Sequence, residues 1–128
     1  MKVLLDTHTF LWWIDDAPNL SDKAREILTD AGNTIFVSVA SGWEIAIKTG
    51  IGRLQVEGDP ERLFPEQIAR NAFQTLPIQM SHALHTVHLP YYHRDPFDRL
   101  LVSQSQIEDL PIVTRDPAIG HYEVETIW

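Results

Sequence analysis

HRDPFDRLLVSQSQIEDLPIVTRDP, residues 93–117, holds a helix start, a helix and a strand in one run. Asp95 has the chemistry of a helix N-cap, Pro96 sits at the first helical position, and Asp98 falls at the third. Leu100, Leu101, Gln104 and Glu108 define the turns that follow. Ile112 to Thr114 then reads as a short strand, and Asp116-Pro117 turns the chain.

The same alternation extends outward from this segment. Lys2 to Leu5 is an apolar strand ending at Asp6, and Thr9 to Ile14 reads as a brief helix stopped before Pro18. Ser21 caps a helix through Leu28, with Ala24, Ile27 and Leu28 at helical spacing. Gly32-Asn33 makes a turn into a second strand, Thr34 to Val37. Ser38 caps the next helix, which carries Trp43, Ile45, Ala46 and Ile47 and ends at Gly50 and Gly52. Asp59-Pro60 opens another helix, and Pro65 is placed to begin a further segment. Leu76 to Ile78 reads as a strand, Ser81 as the start of a helix ending near Pro90, and Val124 to Trp128 as the last strand. Short apolar strands alternating with helices predict an α/β fold with a mostly parallel sheet covered on both faces. At 128 residues the chain predicts one domain, 1–128.

Composition narrows the chemistry. The chain is 44% hydrophobic, enough for a core, and has no cysteine, which excludes a disulfide scaffold and thiolate zinc. Asp6 and His8 interrupt the N-terminal apolar run, and no stretch approaches the roughly 18 apolar residues of a membrane span. A cytoplasmic protein without a membrane partner is expected. Lys and Arg total 10 against 18 Asp and Glu, a formal net charge of −8. That balance argues against a sequence-reading DNA module. It leaves room for a metal-dependent nuclease, because a bound cation inverts the local field of clustered carboxylates.

In open α/β sheets, functional groups collect beyond the carboxyl ends of the strands. Asp6 follows the first strand and Asp116 follows the strand Ile112 to Thr114. Asp98 opens a helix, and Glu44 lies within the helix that leaves the second strand. Four carboxylates meeting in one crevice would suit a hard divalent cation such as Mg²⁺ or Mn²⁺. Thr114 could hold Asp116 or a bound water through its hydroxyl. Each residue also has a plain structural reading. Asp6 can cap the first helix, Glu44 and Lys48 can pair at i,i+4 on the surface, Asp95 can cap, Asp98 can complement the helix dipole, and Asp116 can simply turn the chain.

The remaining candidates are weaker. His82, His85 and His88 recur every three residues and His93 follows, but no HExxH pattern accompanies them. Trp12, Trp13, Trp43 and Trp128 read as core or interface residues. There is no Gly-rich phosphate loop and no GxSxG elbow.

Over essentially the whole chain the sequence resembles PIN-domain ribonucleases, specifically the VapC-type toxins of type II toxin–antitoxin modules. LLDTHTFLWW (4–13), SVASGWEIAIKTGIGRL (38–54), HLPYYHRDPFDRLLVSQS (88–105) and IVTRDP (112–117) carry the likeness. The resemblance implies a three-layer α/β/α domain with a short central sheet. It implies that Asp6, Glu44, Asp98 and Asp116 are the catalytic, metal-holding carboxylates, the fourth often water-mediated. Thr114 and Asp95 would support them from behind. Ser103 and Ser105 stand where many relatives carry alanine. It further implies Mg²⁺ or Mn²⁺ as cofactor, RNA as substrate, a homodimer, and a cognate antitoxin that inserts a C-terminal segment near the acidic site. Promoter DNA would be bound only through the antitoxin complex. The alternatives at this point are a structure-specific DNA nuclease and an inactive interaction module.

Overall fold

A computed structural model describes residues 1–128. In chain order the elements are β1 (Lys2–Leu5), α1 (Thr7–Ile14), α2 (Asp22–Thr29), β2 (Thr34–Ser38), α3 (Val39–Gly50), α4 (Pro60–Arg70) and β3 (Gln74–Leu76). They continue with α5 (Met80–His85), a 3₁₀ turn (Thr86–His88), α6 (Pro96–Glu108), β4 (Ile112–Val113), a second 3₁₀ turn (Ile119–His121) and β5 (Thr126–Ile127). The strand order is β3-β2-β1-β4-β5, and every pairing is parallel.

The strands sort their side chains with period two. Val3, Leu5, Ile35, Val37, Val113 and Ile127 face a core shared with Phe10, Leu20, Ala24, Leu28, Ile45 and Phe73, from α1, α2, α3 and the approach to β3. Leu4 and Ile112 face a second core with Leu101, Val102, Ile119 and Tyr122, under α6 and the C-terminal turn. Apolar side chains on both faces make the sheet the middle of three layers. No helix is long and apolar enough to cross a membrane.

Several boundaries differ from the sequence reading. Helix α1 begins at Thr7, not Thr9, because Asp6 takes the N-cap position. Pro65 does not open a new segment but lies inside continuous α4. Its missing N–H forfeits one helical bond, while Phe64 and Ile68 on either side of it pack against the core. β3 runs from Gln74 to Leu76, since Pro77 cannot donate to a ladder. Helix α5 starts at Met80 after Gln79, whose N–H donates to His82 Nδ1 at 3.0 Å. The last strand is only Thr126–Ile127. Trp12, Trp13 and Trp128 pack against the first core. Trp43 does not join a core: it is 59% exposed.

Candidate functional site

The chain leaves β1 and builds outward on one side through β2 and β3, then returns to the other side of β1 for β4. The carboxyl ends of β1 and β4 therefore flank the point where strand order reverses, where an open α/β sheet has a crevice. Asp6 follows β1 and Thr114 follows β4. The Asp6 N–H donates to Val113 O at 3.2 Å, and the Thr114 hydroxyl donates to Asp6 Oδ2 at 2.7 Å. The same hydroxyl accepts the N–H of Asp116 at 3.0 Å, so Thr114 ties the first carboxylate to the loop of the fourth.

Asp6 occupies the N-cap of α1 without capping it: its side chain accepts no helix N–H. Instead its other oxygen, Oδ1, is buried with no hydrogen-bond partner. Burial pushes the Asp6 carboxyl above its ordinary value. The Thr114 bond and the positive field of His8 pull it down, while Asp116 and Glu44 raise it further.

Glu44 is on the buried face of α3 with Ala40, Ser41 and Ile45. Ser38 caps this helix on Ala40 N–H at 3.0 Å, and Ser41 meets Thr7 of α1 through a 2.8 Å hydroxyl contact. The ion pair to Lys48 does form, through Oε2, but it is not a surface pair. The Glu44 side chain is 3% exposed against 37% for Lys48. That bond holds the lysine above its ordinary pKa. Glu44 Oε1, like Asp6 Oδ1, is buried without a partner.

Asp95 caps α6, its Oδ1 accepting the N–H of Phe97 at 2.8 Å and of Asp98 at 3.2 Å. Asp98, in the first turn, is turned inward. Desolvation pushes its carboxyl up to about 8, with Asp6, Asp95, Glu44 and Asp116 adding like-charge repulsion in that order. Because all four repel one group, the structure gathers Asp6, Glu44, Asp98 and Asp116 into one electrostatic site, with Asp95 at its edge. Within it, Asp98 and Asp116 are drawn together by His93, whose Nε2 lies 3.0 Å from Asp98 Oδ2 and 3.1 Å from Asp116 Oδ2. The ligand-capable atoms of these three residues all fall within 4.8 Å of one another. Asp116 Oδ1 accepts the N–H of Ala118 at 2.9 Å.

These donors fit a hard cation. Three buried side-chain oxygens in the molecule lack partners, and two of them are the free oxygens of Asp6 and Glu44. An unpaired buried carboxylate oxygen is costly unless a cation compensates it. The residues that could hold such an ion are Asp6, Glu44 and Asp98.

His93 escaped the sequence reading as a member of the site. The only signal was its place two residues before Asp95, because its partner Asp116 is 23 residues away. Arg99 and Tyr122 were also passed over. Buried Arg99 donates to the carbonyls of Pro90 at 2.8 Å, Thr86 at 3.0 Å and Leu89 at 3.2 Å, with Tyr91 over its guanidinium at 4.1 Å. Of the recurring histidines His82, His85 and His88, two rings have other uses: His82 pairs with Glu108 at 2.8 Å and His85 with Gln106 at 2.7 Å.

A family model described as PIN domain matches residues 3–125. The chain is 35% identical over 72 residues to Ribonuclease VapC16 of Mycobacterium tuberculosis, an alignment covering 56% of this chain and 49% of that protein, about half its length. It is 29% identical over 130 residues to Ribonuclease VapC22 of the same organism, covering 98% of each. Among solved structures it is similar to VapBC2 from Rickettsia felis bound to a promoter DNA fragment (TM-score 0.71, 14% identity, covering 99% of this chain and 98% of that one). It is also similar to VapBC-5 from Mycobacterium tuberculosis, a member of the VapBC family of toxin–antitoxin systems (TM-score 0.62, 15% identity, covering 98% and 97%). At such identities the structural likeness speaks for the fold.

Proposed function

The chain belongs to the PIN domain family, and from that membership and its acidic crevice we propose that residues 1–128 form one nuclease domain, the endoribonuclease toxin of a type II toxin–antitoxin module. The observation that carries this reading is the pair of buried, unpartnered oxygens, Asp6 Oδ1 and Glu44 Oε1, in a crevice shared with Asp98. The ribonuclease names of the two mycobacterial relatives support RNA as the substrate.

In this reading Asp6, Glu44 and Asp98 hold Mg²⁺ or Mn²⁺, and Asp116 completes the quartet. When bound, the ion supplies Lewis acidity that activates water and neutralises charge on the phosphodiester. Thr114 fixes one oxygen of Asp6 and leaves the other aimed inward. Lys48 does the same for Glu44. Arg115, its guanidinium 4.6 Å above the Trp12 ring, stands between Thr114 and Asp116 as a cation for the RNA backbone. Water attacks phosphorus and the bond to O3′ breaks, leaving a 5′-phosphate and a 3′-hydroxyl. A site carboxylate takes the proton of the attacking water, and the departing O3′ takes up a proton from solvent to become the 3′-hydroxyl.

Partners follow from the surface. Val39, Trp43, Ile47 and Ile51 are exposed at four-residue spacing along α3 and its C-cap, an apolar stripe suited to a homodimer. An apolar cavity of about 360 Å³ between α3 and α4 adjoins it. The excess of acid suits a basic antitoxin segment, and promoter DNA would be bound through that antitoxin, in the cytoplasm.

Incubating antitoxin-free protein with RNA and matched DNA, with Mn²⁺ or EDTA, tests the reading. RNA cleavage that needs the ion, leaves 5′-phosphate ends and disappears in folded Asp6→Ala and Asp98→Ala variants is the expected result. Cyclic phosphate ends formed at full rate in EDTA would sink it.

A further inference from the structure

We infer that His93 is a positioning residue: an imidazole, fixed in one tautomer, that holds Asp116 by a hydrogen bond beside Asp98 and so sets the two carboxylates for the cation. The inference rests on the metal-dependent reading above.

The tautomer follows from the ring's own bonds. His93 Nδ1 accepts the backbone N–H of Asp95 at 3.1 Å. A nitrogen that accepts carries no proton, so the proton of the neutral ring is on Nε2. That N–H is hydrogen-bonded to Asp116 Oδ2 at 3.1 Å, and Asp98 Oδ2 lies 3.0 Å from the same nitrogen. A protonated Nε2 has no lone pair to give a metal. His93 therefore acts on the carboxylates and is not itself a ligand.

The bridge treats the two acids differently. It stands against one oxygen of Asp98. Both oxygens of Asp116 already accept a hydrogen bond, Oδ2 from His93 and Oδ1 from the N–H of Ala118 at 2.9 Å. Asp6 and Glu44 keep a free buried oxygen each. Asp6 and Glu44 thus each keep a bare oxygen, while both oxygens of Asp116 are held by the protein.

The strand of chain that carries His93 is itself anchored. Its N–H donates to the Tyr122 hydroxyl at 2.9 Å, and that hydroxyl donates to Pro90 O at 2.7 Å. Arg99 gathers the carbonyls of Thr86, Leu89 and Pro90 from below. The first turn of α6 therefore organises its own partner: Asp95 orients the ring, Asp98 stands against it, and Arg99 ties down the loop. Groups that orient metal-binding side chains from behind change metal affinity by about 10–100-fold when removed.

The test is Mn²⁺ titration by calorimetry in the absence of RNA, with histidine ring ¹⁵N spectra of the metal-free protein. Wild type should bind Mn²⁺ and Asp6→Ala should not. His93→Ala and His93→Asn should weaken binding by about 10-fold or more. His93→Gln, whose longer side chain can bring an N–H donor toward the two carboxylates, should lose less than either. The His93→Ala, Asp116→Ala pair should lose no more than the worse single variant, since the two act as one unit. The spectrum should show the His93 proton on Nε2. An affinity within twofold of wild type in folded His93→Ala, a proton on Nδ1, or losses that add in the double variant would each overturn the inference. Should His93→Ala not fold, the order of Gln and Asn decides: Gln no better than Asn overturns it. Should wild type bind no Mn²⁺, the metal reading fails, and the inference falls with it. Binding that depends on Asp6 but ignores His93 sinks the inference alone.

Discussion

At Asp98, burial and the four carboxylates Asp6, Asp95, Glu44 and Asp116 all act in one direction, and the carboxyl is pushed up to about 8. An unfolded aspartate titrates at about 3.9. Below that pH the proton is held in both states and costs no stability. Between the two values only the folded chain keeps the proton, so stability falls as pH rises, and the loss is complete above the folded value. Asp6 is shifted in the same direction by burial. Thermal denaturation in EDTA should therefore show metal-free wild type losing stability as pH rises from about 4 to about 8. Asp98→Asn, which cannot ionise, should be about 1–2 kcal/mol more stable than wild type at the upper pH. Excess Mn²⁺ should reverse that order, because only wild type gains from binding the ion. A flat pH profile with Asp98→Asn no better than wild type contradicts this account.

Among elements, α6 shows how one short segment divides its labours. Asp95 caps through Oδ1 while Asp98, three residues on, turns into the crevice. Asp95→Ala should cost about 0.5–2 kcal/mol in chemical denaturation, and Asp95→Asn far less, since asparagine caps as well. Equal loss in both would mean that the carboxylate charge matters there, not the cap. The caps were the most legible feature of the chain. Ser21 accepts from Ala24, Ser38 from Ala40 and Asp59 from Glu61, each within three residues. Helix α3 was less legible because its polarity is inverted, with Glu44 inside and Trp43 outside. Apolar spacing locates a helix face but does not say what that face meets.

For the whole molecule, the α3 stripe is an apolar feature that a lone chain leaves unburied. Ile47→Glu should dissociate the proposed dimer by introducing a charge into its apolar seam. Light scattering should give twice the 14.7 kDa chain mass for wild type and the single mass for the variant. A monomeric wild type at every concentration would remove the dimer from the reading.

The sequence by itself determined the strand–helix alternation, the caps and the parallel sheet, and marked four carboxylates as candidates, because each depends on local spacing or on a motif carried in contiguous residues. Only the tertiary structure decided what the carboxylates do to one another. Thr114 meets Asp6 across 108 residues, and His93 meets Asp116 across 23. Which oxygen is satisfied and which is left bare depends on those long-range hydrogen bonds. Burial at the strand-order reversal then sets how strongly each charge is felt. Neither the distance between β1 and β4 nor the depth of the crevice between them is written in any local pattern. Both arise when the two cores close on the sheet.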